Sequence, residues 1–298
     1  MGYLDSMEHR SPLHILFTMD CYPAGTRKAP EGPQHLEQSI RSIDGFCTGL
    51  VNAGYAVTLF LSPPCAAAHA PFVEELGGRD VELGLYVHPP SLEGGSYRGH
   101  LGQYDEATQR AIIKRAMEGY QDVVGTRPLS VRSSMFSAND ATFGVLSEQG
   151  FRQGSVSSPG RRVPRHGADW SGAERDAHYV DSSSRLRRGD LPFLEIPVTT
   201  DATRVRGGIP AELGLENGTL EEWHRPLIEG QLERMDREQA PFKALCFFTR
   251  NCFAYNTPGD SLASALEAII GYVDSLRDRY DVRPVTASRA HASFRGVF

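Results

Sequence analysis

The chain has 298 residues, 40% of them hydrophobic, and a formal net charge of -6. That length supports a large packed core, as one α/β domain or two small ones, and the acidic balance argues against a general nucleic-acid binder. No apolar run approaches the length of a membrane span, Met1 to Pro12 lacks the apolar stretch of a secretory signal, and Cys21, Cys47, Cys65, Cys246 and Cys252 show no CxxC spacing, which fits a reducing, cytoplasmic setting better than a disulfide framework or a structural zinc site.

Residues 1–11 are expected to form a flexible tail and 12–298 a single domain. The run 13–19, LHILFTM, reads as a buried strand that ends in Asp20, Cys21 and Pro23. Residues 34–54 place Leu36, Ile40, Ile43, Phe46, Cys47 and Leu50 at helical spacing, with Gly54 as a stop. A strand is expected over 56–62, a short helix near 65–76, and a strand over 81–88 that ends at His88. Residues 105–125 form a helix with Asp105 as N-cap and Gly125 past its end. Then come a strand at 129–134 and a capped helix at 137–151, in which Asn139 starts the helix. After an irregular stretch, 193–199 and 243–249 read as strands, 219–238 and 261–280 as helices. Repeated strand–helix units argue for a parallel sheet covered by helices, closed or nearly closed, with about seven strands. MDCYPAGTRKAPEGP, after the first strand, is neither GxGxxG nor a P-loop, which weakens nucleotide-binding readings.

In a parallel barrel the C-terminal strand ends share one face. Those ends collect Asp20, Cys21, His88, Arg132, Glu195, Thr249 and Arg250. Asp20 and His88 can hold a divalent ion or share proton transfer, and Arg132 can orient the carboxylate or stabilise a developing anion. Neighbouring strand residues point to opposite faces, so Asp20 and Cys21 do not both face a pocket. Cys47, Cys65 and Cys246 read as core, and His69 as a surface residue.

Between 13 and 290 the chain resembles the polysaccharide deacetylases (carbohydrate esterase family 4 and its relatives). FTMD (17–20) stands for the acidic motif, VELGLYVHP (81–89) for the histidine motif, and GTRPLSVRSSMFSANDATFGVLSEQGF (125–151) for the arginine motif. The resemblance implies an irregular (β/α) barrel that hydrolyses acetamido or other non-peptide C–N bonds. Three departures stand out. The paired acid is replaced by Cys21 and Tyr22, the second histidine by Leu92, and the late histidine strand end reads Phe248, Thr249 and Arg250. His100, in a loop entering a helix, is a candidate to replace the missing histidine. Asp20, His88 and His100 would then hold a divalent metal, expected to be zinc, whose bound water titrates near about 7. In the metal-independent version Asp20 activates water directly, and Arg132 or His88 stabilises the oxyanion.

The expected function is thus a deacetylase-type hydrolase, with Asp20, His88 and Arg132 catalytic. Its substrate would be a small metabolite or oligosaccharide, with no nucleic acid and no membrane as partner. A barrel that has lost catalysis and binds a carbohydrate or metabolite is the alternative. Residues 157–190 form a long loop carrying the basic clusters GRRVPR and RLRR. These are suited to an acidic substrate, to a partner subunit in a homo-oligomer, or to solvent alone. Trp170 and His178 within it are candidates to line the pocket.

Overall fold

A computed structural model describes residues 10–25, 30–76, 79–92, 96–256 and 261–297. Residues 1–9 of the expected tail lie outside the described residues. The chain runs β1 (Pro12–Cys21), α1 (Leu36–Asn52), β2 (Val57–Leu61), α2 (Pro63–Ala68), α3 (Ala70–Leu76), β3 (Val81–Val87), α4 (Glu106–Val124), β4 (Ser130–Ser133), α5 (Thr142–Glu148) and β5 (Gln153–Gly154). Short pieces follow: β6 (Arg162–Val163), β7 (Ala168–Asp169), β8 (His178–Tyr179) and β9 (Leu194–Glu195). The last part holds the hairpin β10 (Thr200–Arg206) and β11 (Ile209–Glu212), α6 (Arg225–Arg237), β12 (Lys243–Arg250), α7 (Ser261–Ser275), β13 (Asp281–Pro284) and α8 (Ala287–Arg295). Among the described residues no helix is long and apolar enough to cross a membrane.

The strands β12, β1, β2, β3, β4, β5 and β9 form one parallel, curled sheet in that order. Its two ends are bridged by the stretch 196–199. The Ile196 and Val198 amides donate to Gly154 and Ser157, while the Thr199 amide donates to Cys246 of β12 at 3.1 Å. Seven strands thus curl into an irregular half-barrel. The expected strand over 193–199 is regular only at Leu194–Glu195, because beyond them the chain leaves β5 for β12. Further along, β13 pairs with the start of β1, and β8 runs antiparallel to β9.

Alternation along β1 divides the core. Phe17, Met19 and Cys21 join the layer between sheet and helices. Leu16 faces the barrel interior with Cys246, Phe248, Ile196 and Val198, and α8 closes this cluster from the strands' N-terminal end with Ala287, Ala290 and Phe294. The α8 start is tied to the sheet: the Ala287 amide donates to Thr58 Oγ1 at 3.0 Å and the Ser288 amide to Glu82 at 2.8 Å. Gly84 of β3 is required by this interior, since a Cβ there would stand 2.9 Å from the Phe60 ring and 3.0 Å from the Ser130 carbonyl.

Helix α4 is capped as its sequence predicts. Asp105 accepts from the Thr108 amide at 2.8 Å, and Gly125 takes a left-handed φ of 75°. The helix expected over 137–151 is shorter, because 134–141 is spent on a tight turn. His69, expected at the surface, is buried in the break between α2 and α3, with Nε2 2.9 Å from Ser39 Oγ.

Candidate active site

At the C-terminal ends of the strands, a cavity of about 370 Å³ opens beside β1, β12 and the β10–β11 hairpin. Its floor is Asp20, the last inward residue of β1. Arg132 of β4 comes from below and donates from Nη1 to Asp20 Oδ1 at 3.0 Å. The same guanidinium donates to Thr18 Oγ1 and the Ser155 carbonyl and lies against the Phe60 ring at 4.7 Å. Arg132 is wholly buried and does not line the cavity. Each of its three guanidinium nitrogens makes a hydrogen bond, so it fixes the carboxylate in position.

Burial pushes the Asp20 carboxyl up from the ordinary 3.8 to about 6, against the opposing pull of Arg132 and of Arg250. A carboxylate near neutrality is suited to accept a proton in the reaction and return it. Glu195, also collected among the strand ends, is buried and pushed up to about 7. One of its oxygens accepts the Val156 and Ser157 amides and the Ser157 hydroxyl. Glu195 is not among the cavity-lining residues.

The turn after β4 supplies one wall. Met135 and Phe136 take φ of 57° and 54°, a left-handed conformation that is costly for side chains of this size. Trp170 holds this turn by donating from Nε1 to the Phe136 carbonyl at 2.7 Å. Trp170 and His178, both candidates to line the pocket, are buried away from it. Trp170 packs on Phe143, and the His178 ring nitrogen Nδ1 meets the Asp176 carbonyl.

The cavity's other carboxylates each have an arginine. Glu212 is gripped by Arg161 in a fork, with nitrogen–oxygen distances of 2.6 and 2.7 Å. Glu216 meets Arg250 at 3.3 Å. Arg161 belongs to the GRRVPR cluster, and Arg250 is a strand-end residue. The sequence does not mark Glu212, Glu216 or Arg206, because 200–218 has no periodicity that would define an inward face, nor Trp223, at the start of the helix expected over 219–238.

His88 lies behind the cavity floor. It packs on Tyr22 with ring centroids 5.3 Å apart and parallel to Tyr86 at 6.3 Å, and its Nε2 is 3.5 Å from Glu31. Tyr86 donates to the Tyr22 hydroxyl at 2.5 Å. His100 stands 6.3 Å from His88 and 5.1 Å from His166, ring to ring, with Nδ1 3.0 Å from Ser134 Oγ. Burial, with His166 and His88 beside it, pushes His100 down to about 4.

The structure therefore joins Asp20 to Arg132 and places His88 and His100 as a separate group beyond the tyrosine pair. Among the described residues no three His, Cys, Asp or Glu side chains are arranged to hold a metal ion. Asp20 accepts from Arg132 through Oδ1, and the rings of Tyr22 and Tyr86 lie against His88, so the expected set Asp20, His88 and His100 is not gathered into such a group.

No family model matches the chain, and no curated protein sequence matches it. Solved structures do. A protein from Mycobacterium smegmatis assigned as a polysaccharide deacetylase superposes with a TM-score of 0.62 at 17% identity, over 98% of this chain and 93% of that one. Puue allantoinase gives 0.60 at 13% identity, over 97% and 92%. A protein of Pseudomonas aeruginosa PAO1 assigned as a polysaccharide deacetylase gives 0.59 at 14% identity, over 95% and 90%. At these identities the likeness is one of fold: the chain has the irregular (β/α) barrel of the polysaccharide deacetylases.

Proposed function

We propose that the protein is a deacetylase-type hydrolase that cleaves a non-peptide C–N bond of a small amide or carbohydrate-like substrate with water activated directly by Asp20. The observation that carries this reading is a buried carboxylate at the cavity floor, held by Arg132 and titrating near neutrality. The carbonyl carbon of a bound amide sits above Asp20 with a water between them. Asp20 takes one proton as the water oxygen bonds to carbon, and the carbonyl becomes an oxyanion. Collapse breaks the C–N bond, and Asp20 returns the proton to the leaving nitrogen.

Arg132 and His88, expected to stabilise the oxyanion, do not line the cavity. Tyr22 does. Its hydroxyl accepts from Tyr86, which leaves its own proton free to donate to the oxyanion. Arg132 acts through Asp20 as a positioning residue, and His88 packs the back of Tyr22. No step is assigned to a metal, because no three candidate donors are gathered among the described residues.

The test is a screen of the purified protein for release of acetate, amine or ammonia from N-acetylated sugars and small amides, beside the Asp20→Asn variant. Turnover that falls on the order of a hundredfold in the variant is the expected result. Ligands that bind without turnover in either protein would instead make this a binding barrel.

A further inference from the structure

Charge matching within the cavity points to the class of substrate, on the premise that this cavity is the site of reaction. Three carboxylates line it, and each has its own arginine: Asp20 with Arg132, Glu212 with Arg161, Glu216 with Arg250. These pairs are internally neutral. A further arginine, Arg206 at the end of β10, lines the cavity with Arg161 and Arg250 and makes no ion pair or side-chain hydrogen bond with any described residue. The local balance of these groups is therefore one uncompensated positive charge, carried by an exposed side chain that lines the cavity.

A second observation concerns hydrogen bonding. Among the described residues Glu216 Oε2 is buried without a hydrogen-bond partner, although the residue lines the cavity. A buried acceptor left unmade is costly, and a ligand N–H or O–H would satisfy it. Between these polar groups stand the rings of Phe136, Phe248 and Trp223. Trp223 is fixed by donating from Nε1 to the Glu212 carbonyl at 2.8 Å, and Arg204 covers its ring at 5.4 Å.

We propose that the cavity selects amides that carry a carboxylate, with Arg206 as the residue that reads the negative charge and Glu216 as the acceptor for a substrate N–H. The class is that of an N-acylated amino acid, with its acyl carbonyl above Asp20 and its carboxylate at the mouth. Neutral amides of the same shape lose the Arg206 contact and gain nothing in return.

The experiment uses the full chain carrying Asp20→Asn, so that binding is read without turnover. N-acetyl amino acids and the matching N-acetyl amino acid amides, which differ only in carboxylate against carboxamide, are titrated by calorimetry. The carboxylates are expected to bind about tenfold or more tightly than the amides, as a charge-assisted contact gives. Adding Arg206→Gln should bring the ratio to about one while leaving the circular-dichroism spectrum and melting temperature unchanged. Equal binding of the two series, a ratio that survives Arg206→Gln, or no binding by either series would overturn the proposal. Arg206-dependent binding with no hydrolysis by the wild-type protein would sink the hydrolase reading alone. Hydrolysis of neutral amides without a carboxylate preference would sink this one alone.

Discussion

Replacing Asp20 with asparagine separates chemistry from stability, and the structure fixes the sign of both effects. Asparagine keeps the size of the side chain and an oxygen that can accept from Arg132, but it carries no charge. The folded-state carboxyl titrates at about 6 against an ordinary 3.8, mainly because burial penalises its charged form. The difference is about two pKa units, which corresponds to roughly 3 kcal/mol at 1.36 kcal/mol per unit. For an acid whose folded pKa is raised, the stabilising contribution is full below about pH 4 and is lost as pH rises through about 6. The wild-type protein at pH 7 therefore carries the whole penalty, and a permanently neutral residue does not. Asp20→Asn should leave the melting temperature unchanged or raise it, to a limit of roughly 5 °C for 298 residues at about 2.1 cal/mol/K per residue. The limit is an upper one because Arg132 loses its counter-charge, although it keeps Thr18, the Ser155 carbonyl and the Phe60 face. Turnover should fall on the order of a hundredfold or more at the same time. The assay is thermal melting of both proteins from pH 3.5 to 8 beside amide hydrolysis. Any stability gain should vanish below pH 4, grow between 4 and 6, and then level off. A variant that unfolds, with normal turnover in whatever stays folded, would make Asp20 a structural anchor and remove it from the mechanism.

Further outcomes follow from the same geometry. Arg132→Gln removes a charge and a hydrogen bond that hold the Asp20 carboxyl down against burial, so the acid limb of kcat/KM should move to a pH above about 6, and Arg132→Lys should move it back part of the way. An unmoved limb would mean that another group controls the profile. Cys21 is buried in the layer between sheet and helices, so Cys21→Ala should cost about 1 kcal/mol in denaturant melts with activity retained. A loss of activity without a loss of stability would place the thiol in the site. Dialysis against a chelator should leave amide hydrolysis unchanged, with elemental analysis recording the metal content before and after. Loss of activity restored by added zinc would replace the direct mechanism with a metal-assisted one.

The parts of this structure that were legible in the sequence are those governed by local periodicity. Helix α4 with Asp105 and Gly125, and β1 with Asp20 and Cys21 on opposite faces, follow from spacing and capping alone. The neighbourhood of Asp20 and Arg132 followed from the rule that parallel strand ends share a rim. What stayed hidden depends on contacts between distant, aperiodic segments. Strands β6 to β9 are two residues long, too short to show any alternation. The Arg161–Glu212 fork joins two stretches with no regular pattern. The expected metal set of Asp20, His88 and His100 is not gathered into one group among the described residues. Sequence gives the rim each residue occupies but not the two tyrosine rings packed against His88.

The pairing of β1 also governs how the chain can be made. Leu13 lies beside Lys243 and Pro12 beside Asp281 in register, so the first strand obtains partners on β12 and β13 only after nearly all of the chain has left the ribosome. Until then its edge toward β12 offers unmatched amides and carbonyls along an apolar ribbon, the kind of surface that pairs with other nascent chains. Vectorial synthesis therefore leaves one late closing event for this sheet, when β12, β13 and the α8 plug arrive together. A fragment stopped before residue 243 has no route to the finished barrel, and refolding of the whole chain should be slow, as expected for contacts so far apart in sequence.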